Sequence, residues 1–154
     1  MERRQDIKAQ AEYLYVERFP GDFETFALIF DFDYRPNLSL EYVQHLEFFF
    51  GLHVVPQDTM ISRLLRLGVG GRWDADAISM LQQEIDQAME IHSGKTLEVL
   101  AGFSDEDLAS LFRFYFDGPH PPDEIPAKLN PLMEADARVA AAITEAHGKA
   151  EHWH

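Results

Sequence analysis

The sequence predicts a mainly α-helical fold: a single-domain orthogonal bundle of six or seven helices over residues 1–148, followed by a frayed tail at 149–154. Three observations predict it. Apolar residues recur at helical spacing in segments 39–50, 74–92, 104–116 and 130–147. Each of these segments opens on a capping residue and closes near glycine or proline. Only one stretch, residues 22–34, alternates with the period of a strand.

Residues 2–18 read as a first helix with Ile7, Leu14 and Tyr15 as its core side, stopped by Pro20-Gly21. In 22–34, Asp22 suits a helix cap, with Phe23, Phe26, Ala27 and Phe30 on the buried face. The competing reading is a short β element around 25–34 and 52–55, because Phe26, Leu28, Phe30, Phe32 and Tyr34 alternate. Helix is preferred, since a strand needs a partner and the other apolar run, Leu52–Val55, is short. Ser39 caps the next helix, with Leu38 and Val43 at staple positions and Gly51 at its end.

Pro56–Leu67 forms another helix with Ile61, Leu64 and Leu65 inward. Asp74 opens the longest stripe, Ile78, Leu81, Ile85, Ala88, Met89 and His92, and Trp73 and Ile78 form its staple. Gly94 reads as that helix's C-cap, and Thr96–Ala101 as a short helix. Ser104 begins a capped helix with acids in its first turn and Phe103 and Leu108 as staple. Asn130-Pro131 opens the last helix, whose inward face is Leu132, Ala135, Val139, Ala142, Ile143 and Ala146. Two runs, Phe48–Phe50 and Phe112–Phe116, are apolar nearly all round, which places them at the centre of the fold or under a partner.

Composition bounds the function. The chain has 154 residues, 13 Lys plus Arg against 27 Asp plus Glu, and a formal net charge of −14. Such a surface repels nucleic acid and anionic lipid, so the sequence predicts neither nucleic-acid nor membrane binding. No apolar run has the length of a membrane span, and the start of the chain does not read as a signal peptide. Cysteine is absent, which excludes disulfides, thiolate metal sites and a cysteine nucleophile, and fits a cytoplasmic location. The acid excess sits in two blocks: residues 19–60 are net −6 and residues 74–117 net −8.

No motif carries a reaction. Gly94-Lys95-Thr96 imitates the end of a phosphate loop, but Met89 stands where the first glycine belongs. Gly68-x-Gly70 lacks the third glycine of a dinucleotide site, and no G-x-S-x-G occurs. Glu41 and His45, with Asp31, Asp33 and His53 nearby in sequence, form one weak metal constellation without a recognised metal motif. His147, His152 and His154 belong to a terminus expected to lack fixed geometry. No cofactor or metal is predicted.

The role these properties favour is an acidic cytoplasmic interaction module that neutralises a basic protein partner, in the manner of bacterial immunity proteins and antitoxins. The alternatives are a small enzyme with a carboxylate/histidine metal site and a structural homodimer. The candidate partner-binding residues are Asp76, Met80, Asp86, Glu90 and Ile91, on the side of the 74–92 helix away from its stripe, with Asp105, Glu106 and Asp107 extending the negative field.

Overall fold

A computed structural model describes residues 2–30, 42–52, 55–74 and 77–150. Among these residues lie nine α-helices and no strand. They are α1 (Glu2–Arg18), α2 (Phe23–Phe30), α3 (Tyr42–Phe50), α4 (Gln57–Gly68), α5 (Ala77–Ile91), α6 (Ser93–Leu100), α7 (Asp105–Phe116), α8 (Asn130–Ala135) and α9 (Ala137–Ala150). A 3-10 turn, Ala127–Leu129, leads into α8. The protein is mainly α-helical, as the stripes and caps predict.

Two helices organise the packing. α4 meets α2, α5, α6 and α7, and α7 lies between α4, α5 and α9. That position explains why α7 is apolar nearly all round. Leu108, Leu111, Phe112, Phe114 and Phe116 are all buried, because α7 has neighbours on several sides. Its start is capped as its sequence suggests: the Ser104 hydroxyl accepts from the Asp107 amide at 3.1 Å, and Phe103 and Leu108 are buried as a staple. Its C-terminal end is capped by a side chain that sequence reading did not single out. The Gln82 amide of α5 donates to the carbonyls of Phe114 (2.7 Å) and Asp117 (2.8 Å).

Phe48–Phe50 fares differently. Phe49 is fully buried and stacks on Phe19 with centroids 3.7 Å apart, whereas Phe48 stays 48% exposed at the edge of Tyr15. α3 is peripheral: among the described helices it packs chiefly against α5. α1 is also peripheral. Ile7 and Leu14, expected inside, are 62% and 53% exposed, and Tyr15 is half-buried. The buried anchors are Val16 and Phe19, where the chain leaves the helix. There the Arg63 guanidinium donates to the carbonyls of Val16 and Phe19 at 2.8 and 2.7 Å, a cation at a helix C-terminus.

Residues 23–30 are helical, and Asp22 caps them by accepting from the Thr25 amide at 2.9 Å. The strand reading therefore fails over 25–30; residues 31–34, 53 and 54 lie outside the described residues, as do Leu38 and Ser39. Two boundaries also differ from expectation. Gly94 lies in the first turn of α6, which starts at Ser93, so it ends no helix. The last helix is two helices: Asp136 leaves the helical conformation, and its carboxylate accepts from the amides of Arg138 (2.8 Å) and Val139 (3.2 Å), restarting the chain as α9. Ala135 is consequently exposed, and α9 runs past Gly148 to Ala150. His147 is held rather than frayed: it is buried, its Nε2 lies 2.8 Å from the Pro122 carbonyl, and its ring packs on Phe116.

Candidate functional site

α5 carries most of the side chains that the sequence nominates, and the structure separates them. Asp76 lies outside the described residues. Met80 is partly buried and packs against the core. Asp86 does not face solvent freely. It accepts hydrogen bonds from the Tyr115 hydroxyl and from Lys128 Nζ, the latter at 2.6 Å. Lys128 also reaches Glu90 at 3.7 Å. Burial, aided by the Asp86 carboxylate, pushes the Tyr115 phenol far above its usual range and keeps it a donor. Asp86 therefore ties α5 to α7 and to the 3-10 turn. The helical angle that puts Asp86 off the stripe does not name Lys128, which arrives from 42 residues away.

The first turn of α7 is likewise engaged. Asp107 pairs with Arg66 at 2.8 Å, whose guanidinium also lies 3.8 Å from the Phe103 ring centroid. Asp105 pairs with Arg138 at 2.8 Å. Glu106 is exposed and makes no ion pair among the described residues. Ile91, at 68%, is the most exposed large apolar side chain among them.

Ile91 stands on the rim of a feature the sequence did not announce. An open groove of about 570 Å³ runs between α4 and α5, within the range of ligand and peptide pockets. Its apolar wall comes from Leu52 and Val55 after α3, from Met60, Ile61 and Leu64 of α4, and from Ala88 of α5. The spacing explains the wall: 57, 60, 61 and 64 on α4, and 84, 87, 88 and 91 on α5, each make one helix face. Gln57 and His92 meet across one end, with Gln57 Nε2 3.1 Å from His92 Nδ1. His92 is half-buried, as its stripe position suggests, but it faces this groove.

Glu84 lines the same groove two turns before His92. It is half-buried and has no hydrogen bond or ion pair among the described residues. Burial alone raises its carboxyl above the usual range. No lysine or arginine lines the groove among those residues. A half-buried carboxylate beside apolar surface, with no cation to meet it among the described residues, carries part of its charge out of water without compensation. The signal was legible in principle, since 84, 88 and 91 share a face, but that face meets the groove only because α3 and α4 stand beside it.

A smaller pocket of about 190 Å³ gathers Arg72, Arg113 and Lys149. Arg72 is already paired with Glu24 and Lys149 with Glu145, and the Asp117 carboxylate lies in the same lining. Of the weak metal constellation, Asp31, Asp33, Glu41 and His53 lie outside the described residues, while His45 Nδ1 is 3.1 Å from the Tyr15 hydroxyl. Among the described residues no group of three or more histidines and acids is placed to hold a metal, and no helix is long and apolar enough to cross a membrane. Comparison with protein-family models, curated proteins and solved structures finds no match to this chain.

Proposed function

We propose that the chain is an acidic interaction module that binds a basic protein partner and neutralises it. The observation that supports this reading is how the cations are used. Arg63, Arg66, Arg72, Lys128 and Arg138 are all engaged by carbonyls or carboxylates of the chain itself. The acids outnumber them, and Glu84 and Glu106 keep no counter-ion among the described residues. Two acid-rich blocks then project a negative field that steers a basic surface inward from beyond contact range.

The test is kinetic. A partner captured from a lysate at low ionic strength and then purified should associate more slowly with the Glu90→Gln, Glu106→Gln double variant. The deficit should shrink as salt rises, because screening removes the same term. A partner whose association rate ignores both the variant and salt removes the electrostatic reading. Sedimentation that shows a stable dimer and no partner favours the structural homodimer instead.

A further inference from the structure

We infer that the groove between α4 and α5 seats an amphipathic helix of a protein partner, with a Lys or Arg of that helix meeting Glu84. The inference deepens the acidic-module reading and relies on it for the sign of the partner's charge.

The groove has the shape of a helix seat. Two paired helices form its sides; Met60, Ile61 and Leu64 of α4 and Ala88 and Ile91 of α5 are its apolar positions, and Gln57, Glu84 and Gln87 are the polar ones on the same two faces. From Glu84 to Ile91 the α5 side extends about 10 Å at 1.5 Å per residue, which matches two turns of an incoming helix. Two turns present three or four apolar side chains on one face, enough to cover Met60 and Ile91, which keep open surface beside the already buried Leu64 and Ala88. Ile91, 68% exposed, is the side chain that gains most from such cover.

The polar groups fix direction. Gln57 and His92 already meet at one end. At the other end Glu84 is half-withdrawn from water with no donor among the described residues, and no basic side chain among them lines the groove. A cationic side chain placed one turn beyond the apolar stripe supplies a charge-assisted hydrogen bond there. An acidic residue at that position meets a like charge in a poorly hydrated place and is rejected. The groove thus selects both a helical apolar stripe and the sign of the charge at its end.

The probe is a synthetic helical peptide of about fourteen residues with Leu at i, i+3, i+4 and i+7 and a single Lys one turn from the stripe. A second peptide carries Glu in place of that Lys. Each is titrated calorimetrically into the full chain, the Glu84→Gln variant and the Glu84→Lys variant, after circular dichroism confirms that the variants are folded. The Lys peptide should bind the parent chain and lose about tenfold on Glu84→Gln. Glu84→Lys should reverse the preference and take the Glu peptide. Ile91→Ser should weaken both peptides without changing their order.

Equal affinity of the two peptides for parent and variants overturns the inference, as does failure of both to bind. Saturable binding of dodecylamine with no peptide binding overturns it in favour of a small cationic ligand. The two readings fail separately. If a captured partner still associates in a salt-dependent way while Glu84→Gln and Ile91→Ser leave its affinity intact, the acidic module stands and the groove assignment falls. If peptide selectivity holds but the captured partner's rate ignores salt, the groove stands and long-range steering falls.

Discussion

The two sides of the α4–α5 pair are made of the same kinds of residue and do opposite things. On one side Leu65, Leu67, Leu81 and Ile85 are fully buried. Packing there is so close that a Cβ on Gly68 would stand 2.5 Å from Leu111 Cδ1 and 3.0 Å from Ile85 Cδ1. On the other side Leu64 and Ala88 are also buried, but Met60 is only partly covered, Ile91 is exposed, and all four border about 570 Å³ of open groove. Both sides obey helical spacing, so periodicity does not distinguish them. The difference is made by what stands opposite: α7 fills one side, and no described helix fills the other. The first side is closed throughout, and the second keeps Met60 and Ile91 partly or largely in contact with solvent.

The largest effect that would break this comparison is at Phe114. It is fully buried, touches Phe23 edge-on with centroids 5.5 Å apart, and lies against Gly68 and Gly71. Phe114→Ala should cost about 3–5 kcal/mol in a denaturant titration, against less than about 0.5 kcal/mol for Ile91→Ala on the open side. Similar losses for the two would mean that the groove is closed in solution.

Overpacking the closed side comes next. A Cβ on Gly71 would lie 2.5 Å from Phe114 Cγ, an atom of a rigid ring that cannot swing aside. Gly71→Ala should therefore destabilise by about 1–3 kcal/mol. Gly94→Ala, in the first turn of α6 with nothing within 4 Å, should instead be neutral or stabilise by up to about 1 kcal/mol. Thermal melts should fall for Gly71→Ala and stay or rise for Gly94→Ala, and a Gly71→Ala melt that does not fall would mean that the fit around Phe114 is looser than described.

These contrasts show what the sequence could tell. Helix existence was legible wherever a cap and a stripe coincide, as at Ser104 with Leu108, Leu111 and Phe112. The aromatic run of α7 was legible as central because few other positions cover a helix on every side. Phe48–Phe50 looks alike in sequence and is half exposed, since burial depends on neighbours that periodicity does not name. The split at Asp136 was hidden because Ala135 and Val139 continue the apolar spacing across it, while the cap acts on a single turn. The charge on Asp86 was visible, but its partners Tyr115 and Lys128 come from 29 and 42 residues away. Glu84 was passed over for a similar reason: an acid on a helix reads as solvated until α3 and α4 are seen beside it.

A third prediction concerns helix starts. Ser104→Ala removes the acceptor for the Asp107 amide, and Asp136→Ala removes the acceptor for the amides of Arg138 and Val139. Each should lower stability by about 1 kcal/mol. If Asp136→Ala were silent, α8 and α9 would behave as the one continuous helix that the apolar spacing suggests.

The smallest expected effect is also the one whose sign is most informative. Burial raises the Glu84 carboxyl above its usual range. The folded chain therefore keeps that proton to higher pH than the unfolded chain does. The stability linked to it is present below the unfolded-state pKa and is lost as pH rises through the folded-state value. At neutral pH the folded state bears a carboxylate partly stripped of water, with no partner among the described residues to offset the cost. Glu84→Gln removes that charge, so its melting temperature should exceed that of the parent chain at neutral pH by about 1–2 °C. The difference should vanish as pH falls below the ordinary carboxylate range near about 4, where both states are protonated. Glu106→Gln is the matched control. Glu106 sits exposed in the first turn of α7, where a negative charge favours the helix dipole, so its loss should lower stability slightly at neutral pH. Opposite signs for two Glu→Gln changes would separate an acid that supports the fold from one held ready for a cation. A Glu84→Gln variant less stable than the parent at neutral pH would show that Glu84 already has a partner within the chain, and the groove would then lack its charged end.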